Sequence, residues 1–269
     1  MNLEKTEGKS PIIETQWNNH TIYLYLPPSW EKNGTRTYPT VLVQDGDQAL
    51  KALAPMVAEL EDRWSNGQGR EFILAMICPL DRLSEYTPWP SPAMSPRFPD
   101  FKGYGNQYLD SLYTGLLPWL LKTCQTDMQN VSMLGYSLGG LIGVYALTVQ
   151  NCWRHMAGIC SSFWYNGWIS YLENNSISER TRSIYLHYGT EEGKGKSGPM
   201  EKAAEYAAKT GRLLAEKFPG KLTITTDNGG HHTFADQRLR NGLLWLNEEI
   251  GADACCSLSC SNAKKPNPL

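Results

Sequence analysis

The chain has 269 residues, 41% hydrophobic and 19% charged, which is enough apolar content to bury the core of one α/β domain and too little charge for a disordered chain. Its formal net charge of −2 offers no general attraction to nucleic acid or to an anionic membrane surface. Neither is expected as a partner.

Strand-like and helix-like periods alternate along the chain. Strands are predicted at 10–17, 20–26, 39–44, 71–78, 130–135, 155–160, 183–188 and 221–226. Helices are predicted at 48–64, 105–124, 138–150, 199–218 and 234–249, the second of them kinked by Pro118. The first two strands read as an antiparallel entry. The rest alternate with helices, so right-handed crossovers build a mostly parallel twisted sheet with helices on both faces. In such a sheet ligands bind at the carboxyl ends of the strands. The proline-rich segment 79–104, with Tyr86, Trp89, Phe98, Phe101 and Tyr104, is too long for a plain connection and is expected to wall a substrate site or cover the core. No repeat or linker divides the sequence. The reading is one domain over 1–251 and a flexible tail over 252–269.

The N-terminal residues lack the apolar stretch and cleavage site of a secretory signal, so a cytoplasmic location is expected. The seven cysteines, an odd number without framework spacing, fit reduced thiols. Three of them, Cys255, Cys256 and Cys260, fall in the tail without a Cys-x-x-Cys or paired-His pattern, so no metal site is expected. The Asn-x-Ser/Thr triplets at Asn19, Asn33, Asn130 and Asn174 carry no weight without secretion. Met128 to Trp153 is free of charge, but Gly135, Gly139, Gly140 and Gly143 make it a buried strand, turn and helix rather than a membrane span.

One segment carries chemistry. Val131-Ser-Met-Leu-Gly135-Tyr-Ser137-Leu-Gly139-Gly140 is a predicted strand, then Gly-x-Ser-x-Gly, then an apolar helix, which is the setting of a nucleophile elbow. Ser137 would stand at a helix N-terminus, where free N–H groups favour developing negative charge. A serine hydroxyl needs a base, and an acid to orient that base, in the chain order Ser, acid, His. His20, His155 and His187 lie before or within strands and read as structural. His231 and His232 follow the last strand in a Gly-rich loop, and His231 is preferred as the base. The acid falls to Glu191 or Glu192, just after strand 183–188, with Asp227 as rival. Leu138 N–H supplies one oxyanion donor, and Asp47 N–H, in the turn after strand 39–44, is chosen as the second. Gly189-Thr-Glu-Glu-Gly-Lys-Gly-Lys-Ser197 superficially suggests a phosphate loop, but Thr190 stands where that motif needs Gly.

Several motifs in order resemble one family: Tyr38-Pro-Thr-Val-Leu-Val-Gln-Asp-Gly-Asp47, Arg82-Leu-Ser-Glu-Tyr-Thr-Pro-Trp89, Gly135-Tyr-Ser-Leu-Gly-Gly140, Ser162-Phe-Trp164, Gly189-Thr-Glu-Glu192 and Gly229-Gly-His231. Over residues 10 to 250 the chain resembles the enterochelin-esterase-like, or esterase D-like, branch of the α/β-hydrolases. The resemblance implies a single α/β-hydrolase domain, a serine carboxylic-ester hydrolase with a small-molecule ester substrate, and no cofactor. It implies Glu192 as acid, His231 as base and Asp47 as oxyanion donor. Cys160-Ser161-Ser162 departs from the Ser-Pro-Ser common among relatives. Siderophore trilactone hydrolysis, acyl transfer by the same triad and a non-catalytic binding module remain as alternatives. Arg82, Trp89 and Trp164 are the expected substrate contacts, with Arg82 alternatively pairing with Glu85 or a nearby carboxylate.

Overall fold

Strands β3 (Tyr38–Gln44) and β4 (Ile73–Ile77) are buried at every residue, as strands covered on both faces must be. They lie in an eight-stranded sheet of order β1-β2-β4-β3-β5-β6-β7-β8, seen in a computed structural model that describes residues 12–94 and 98–261. β1 (Ile12–Trp17), β2 (His20–Tyr25) and β4 pair antiparallel. The pairs from β4 through β3, β5 (Thr126–Tyr136), β6 (Trp153–Ile159), β7 (Ser183–Gly189) and β8 (Lys221–Asp227) are all parallel.

Alternate residues of each strand point to opposite faces. Val41, Val43, Leu74 and Met76 join Leu53, Leu60, Leu243 and Leu246 of α1 (Gly46–Leu53), α2 (Val57–Ser65) and α9 (Ala235–Ser261). Leu42, Ala75 and Met133 join Leu109, Leu120, Leu141, Leu172 and Leu214 of α4 (Gly105–Ser111), α5 (Leu117–Cys124), α6 (Leu138–Val149), α7 (Trp168–Asn174) and α8 (Ala203–Lys217). The result is a helix–sheet–helix sandwich. From β3 the chain moves first to β4 on one side and then to β5 on the other, so the order reverses between β3 and β5. The carboxyl ends of those two strands flank the crevice where ligands bind in such sheets.

All eight predicted strands form, with ends shifted by a few residues; residues 10 and 11 lie outside the described part. The helices differ more. Helix 48–64 is two helices joined by a 3₁₀ turn, Ala54–Met56, with Pro55 at its start. Helix 105–124 contains a π turn, Leu112–Leu116, before α5, whose first turn holds Pro118; the kink expected there is a widened turn, since proline has no N–H to close the usual ladder. Two helices were not predicted, α3 (Arg82–Glu85) and α7. α3 is too short to show a period and is set by its Asp81 cap, which accepts the Ser84 N–H.

α9 runs through Ser261, past the predicted end at 249 and into the stretch 252–269 read as tail. Asp253 anchors this extension, accepting from Arg154 Nε at 2.5 Å and lying 3.2 Å from His155 Nε2. Residues 262–269 lie outside the described ones. Among the described residues no helix is long and apolar enough to cross a membrane.

Candidate active site

β5 ends at Tyr136 and α6 begins at Leu138, which leaves one residue, Ser137, to turn the chain. Its φ of 58° and ψ of −120° are costly for a side chain with a Cβ. Close packing holds it there. A Cβ on Gly135 would stand 2.1 Å from Gly139 O, and one on Gly139 would stand 2.8 Å from Gln44 Cβ, so both positions require glycine. The Ser137 N–H donates to Ile159 O, and its carbonyl accepts from Gly140, Leu141 and Ser162.

β7 and β8 are in register with Gly189 opposite Asp227, so the loops that follow leave the sheet side by side. Thr190 N–H donates to Asp227 O and Glu191 N–H to Gly229 O, extending the pairing. This brings Glu192 and His231 together. His231 Nδ1 lies 2.9 Å from Glu192 Oε2, and His231 Nε2 lies 3.1 Å from Ser137 Oγ. Glu192 is buried, and its other oxygen accepts the Gly189 N–H at 3.0 Å. Burial pushes its pKa up, but hydrogen bonds from His231, Cys160 and Gly189 outweigh that and hold it below the usual carboxylate value. An ionised Glu192 can only accept, so Nδ1 carries the imidazole proton and Nε2 is left to take one from Ser137.

The remaining candidates separate. Glu191 is exposed and paired with Lys194, which leaves Glu192 as the only one of the two facing His231. Asp227 instead binds Arg238 and His187 and accepts the Gly229 N–H, fixing the base of the His231 loop. His232 packs edge-on to His231, and burial together with the His231 and Lys196 charges lowers its pKa. His20 meets Glu85, His155 meets Ser183 and Asp253, and His187 meets Thr225 and Asp227. None of these contacts involves Ser137.

Ser137, Leu138 and His231 open onto a cavity of about 240 Å³ walled by Leu83, Met94, Trp164 and Met200. Arg82 lines it too, but its guanidinium is bound to both oxygens of buried Asp45, at 2.7 and 2.8 Å. Its carboxylate partner is Asp45 rather than Glu85. Trp89 does not line the cavity. It packs behind the wall among Tyr145, Tyr165 and Tyr171, and its Nε1 donates to Asn166 O at 2.8 Å. Asp47 is not a cavity residue either; it is exposed, and its carboxylate accepts the Tyr23 hydroxyl. The segment 79–104 serves both expected ends: Tyr86 and Phe101 are core, while Arg82, Leu83 and Met94 face the site.

Three residues beside the site lie outside the residues assigned to it from the sequence: Arg238, Cys160 and Ser162, although the last two fall in quoted motifs. Arg238, almost wholly buried, donates to Gly230 O at 2.9 Å and to Cys160 Sγ at 3.0 Å. Cys160 Sγ, a Glu192 oxygen and a His231 ring nitrogen lie within 4.8 Å of one another. The set has the donors for a soft metal ion, but the Arg238 guanidinium opposes a cation there and burial pushes the thiol pKa up. Ser162 Oγ lies 3.2 Å from Ser137 Oγ. None of these contacts has a local sequence signature.

The strand order and the Gly-x-Ser-x-Gly turn between β5 and α6 define an α/β-hydrolase fold. A family model described as "Putative esterase" matches residues 14–241, and the chain belongs to that family: it is an esterase. It is 29% identical over 245 residues to the Uncharacterized protein YbbA of Bacillus subtilis (strain 168), covering 88% of this chain and 96% of that one. Among solved structures, an IroE-like serine hydrolase from Shewanella oneidensis aligns with a TM-score of 0.72 at 15% identity, over 86% of this chain and 76% of that one. The siderophore hydrolase EstA from Aspergillus nidulans aligns with a TM-score of 0.67 at 15% identity, over 93% and 98%. At that identity the two structures share the fold.

Proposed function

We propose that this esterase cleaves carboxylic esters through an acyl-enzyme on Ser137, with His231 as general base and then acid and Glu192 holding the imidazole tautomer. The reading is carried by the hydrogen-bonded line from Glu192 through His231 to Ser137, placed at the floor of an apolar cavity. His231 Nε2 takes the Ser137 proton as Oγ bonds to the ester carbonyl carbon. The resulting imidazolium is held against the Glu192 carboxylate. The carbonyl oxygen becomes an oxyanion and accepts the Leu138 N–H at the start of α6, where the helix has unpaired donors. The Asp47 N–H, expected as the second donor, faces the Cys78 thiol instead, so Leu138 is the donor this reading rests on. His231 then returns the proton to the leaving alcohol. Water repeats the sequence on the acyl-enzyme and releases the acid and free Ser137.

The cavity suits a small apolar acyl group bounded by Trp164 and Met200. A siderophore trilactone is supported only by the likeness at low identity to siderophore hydrolases, so the simple ester takes precedence. The test is turnover of p-nitrophenyl acetate and labelling by a fluorophosphonate probe in Ser137→Ala. Both should vanish, and undiminished turnover would overturn the reading.

A further inference from the structure

Ser162 meets the proposed nucleophile at two points. Its N–H donates to Ser137 O at 3.0 Å, and its Oγ lies 3.2 Å from Ser137 Oγ. The residue has no exposed surface and borders the cavity. Proton counting sets the direction of the hydroxyl contact. Each hydroxyl has one proton to give. Ser137 gives its own to His231 Nε2, since Nδ1 already donates to the Glu192 carboxylate. The Ser162 hydroxyl is therefore the donor and Ser137 Oγ the acceptor.

We propose that Ser162 is a further catalytic residue, whose hydroxyl donates to Ser137 Oγ and stabilises the negative charge that gathers there as the proton leaves for His231. This rests on the acyl-enzyme reading of Ser137. A hydrogen bond to a neutral hydroxyl is modest, and one to an oxygen gaining charge is about twice as strong. The difference between the two is catalysis rather than uniform binding. Charge returns to the same oxygen when the acyl group departs, so both half-reactions gain. No bond to Ser162 forms or breaks, and its proton stays on its own oxygen.

The adjacent residue provides an internal control. Ser161 is also buried, but its Oγ has no hydrogen-bond partner among the described residues and lies beside Gly140 and Gly158. Ser161→Ala and Ser162→Ala thus remove the same atom from neighbouring buried positions, only one of them touching the nucleophile.

Fluorophosphonate labelling rates and kcat/KM for a series of p-nitrophenyl esters are measured on both variants, with thermal melting to confirm folding. Ser162→Ala should slow labelling and every ester by about tenfold, whereas Ser161→Ala should stay within about twofold of wild type. Ser162→Cys, a weak donor of similar volume, should fall between, and it decides the matter if Ser162→Ala does not fold. Wild-type labelling in the folded Ser162 variants would overturn the proposal. So would an equal loss in Ser161→Ala, or a loss that varies with chain length and spares labelling. The two readings separate cleanly: active Ser137→Ala overturns the acyl-enzyme, whereas inert Ser137→Ala beside fully active Ser162 variants overturns only the role of Ser162.

Discussion

Arg238 grips Asp227 by both carboxylate oxygens, with Nε to Oδ2 at 2.8 Å, while the same guanidinium reaches Gly230 O one residue before His231. The pair clamps the last residue of β8 to the residue that precedes the imidazole. Arg238→Ala leaves the half-buried Asp227 without its main cation and frees the loop that carries His231. The expected outcome is a loss of about 3 kcal/mol in urea unfolding together with a fall in kcat. Arg238→Lys keeps the charge but not the two-pronged geometry, so it should recover more stability than activity. Equal recovery of both would show that the clamp does not position His231.

Acid should weaken the fold through the same loops. Asp227 is held well below the ordinary carboxylate range by hydrogen bonds from Arg238, and Glu192 is held below it by His231, Cys160 and Gly189 against the cost of burial. A carboxylate with a depressed folded pKa adds stability that is fully present above its unfolded pKa, about 4, and is lost as pH falls through the folded value. Melting temperature should therefore hold down to about pH 5 and drop below about pH 4. In Asp227→Asn the wild-type advantage at pH 7 should shrink toward pH 3, and an unchanged gap would refute the linkage.

The two adjacent glutamates have opposite expected phenotypes. Glu192→Gln preserves shape but removes the charge that fixes the His231 tautomer, so kcat should fall by about 10³–10⁴. Glu191→Gln only releases an exposed pair with Lys194 and should leave kcat and melting temperature unchanged. Steady-state kinetics on both variants checks the assignment.

Trp164 and Trp89 should likewise part company. Trp164 lines the cavity, so Trp164→Ala should shift the ratio of kcat/KM between long and short p-nitrophenyl esters by more than about tenfold with little change in melting. Trp89 packs against three tyrosines behind the wall, so Trp89→Ala should cost about 3 kcal/mol of stability and lower all esters alike. A chain-length effect in Trp89→Ala and none in Trp164→Ala would reverse the two roles.

Thiol reagents provide a separate check on the nucleophile. Burial pushes the Cys124 and Cys152 thiols up to about 12, and Cys78, beside Asp47, to about 11, so none is a ready thiolate at neutral pH. Iodoacetamide at pH 7.5 should leave esterase activity intact while a fluorophosphonate abolishes it. Loss of activity to iodoacetamide would point to a functional thiol.

The local features were legible in the chain alone. Strands β3 to β7 show as short apolar runs because both of their faces are covered, and Gly135-x-Ser137-x-Gly139 shows because an elbow needs bare backbone at fixed spacing around one serine. His231 was narrowed by its place after the last strand, and Glu192 over Glu191 only by resemblance. What the chain could not disclose depends on which loops meet in space. The β7–β8 register turned Glu192 inward and left Glu191 to Lys194. Arg82, after β4, found Asp45, after the neighbouring β3, Trp89 went behind the wall, and Asp227 was taken by Arg238. The last helix outran its expected end because Asp253 meets Arg154 and His155 on β6. Ser162 reached Ser137 because β6 lies beside β5 in the sheet. Apart from Glu191 with Lys194 and Asp227 with Arg238, these contacts join residues far apart in the chain, where periodicity and motif spacing do not reach; tertiary packing chose those partners.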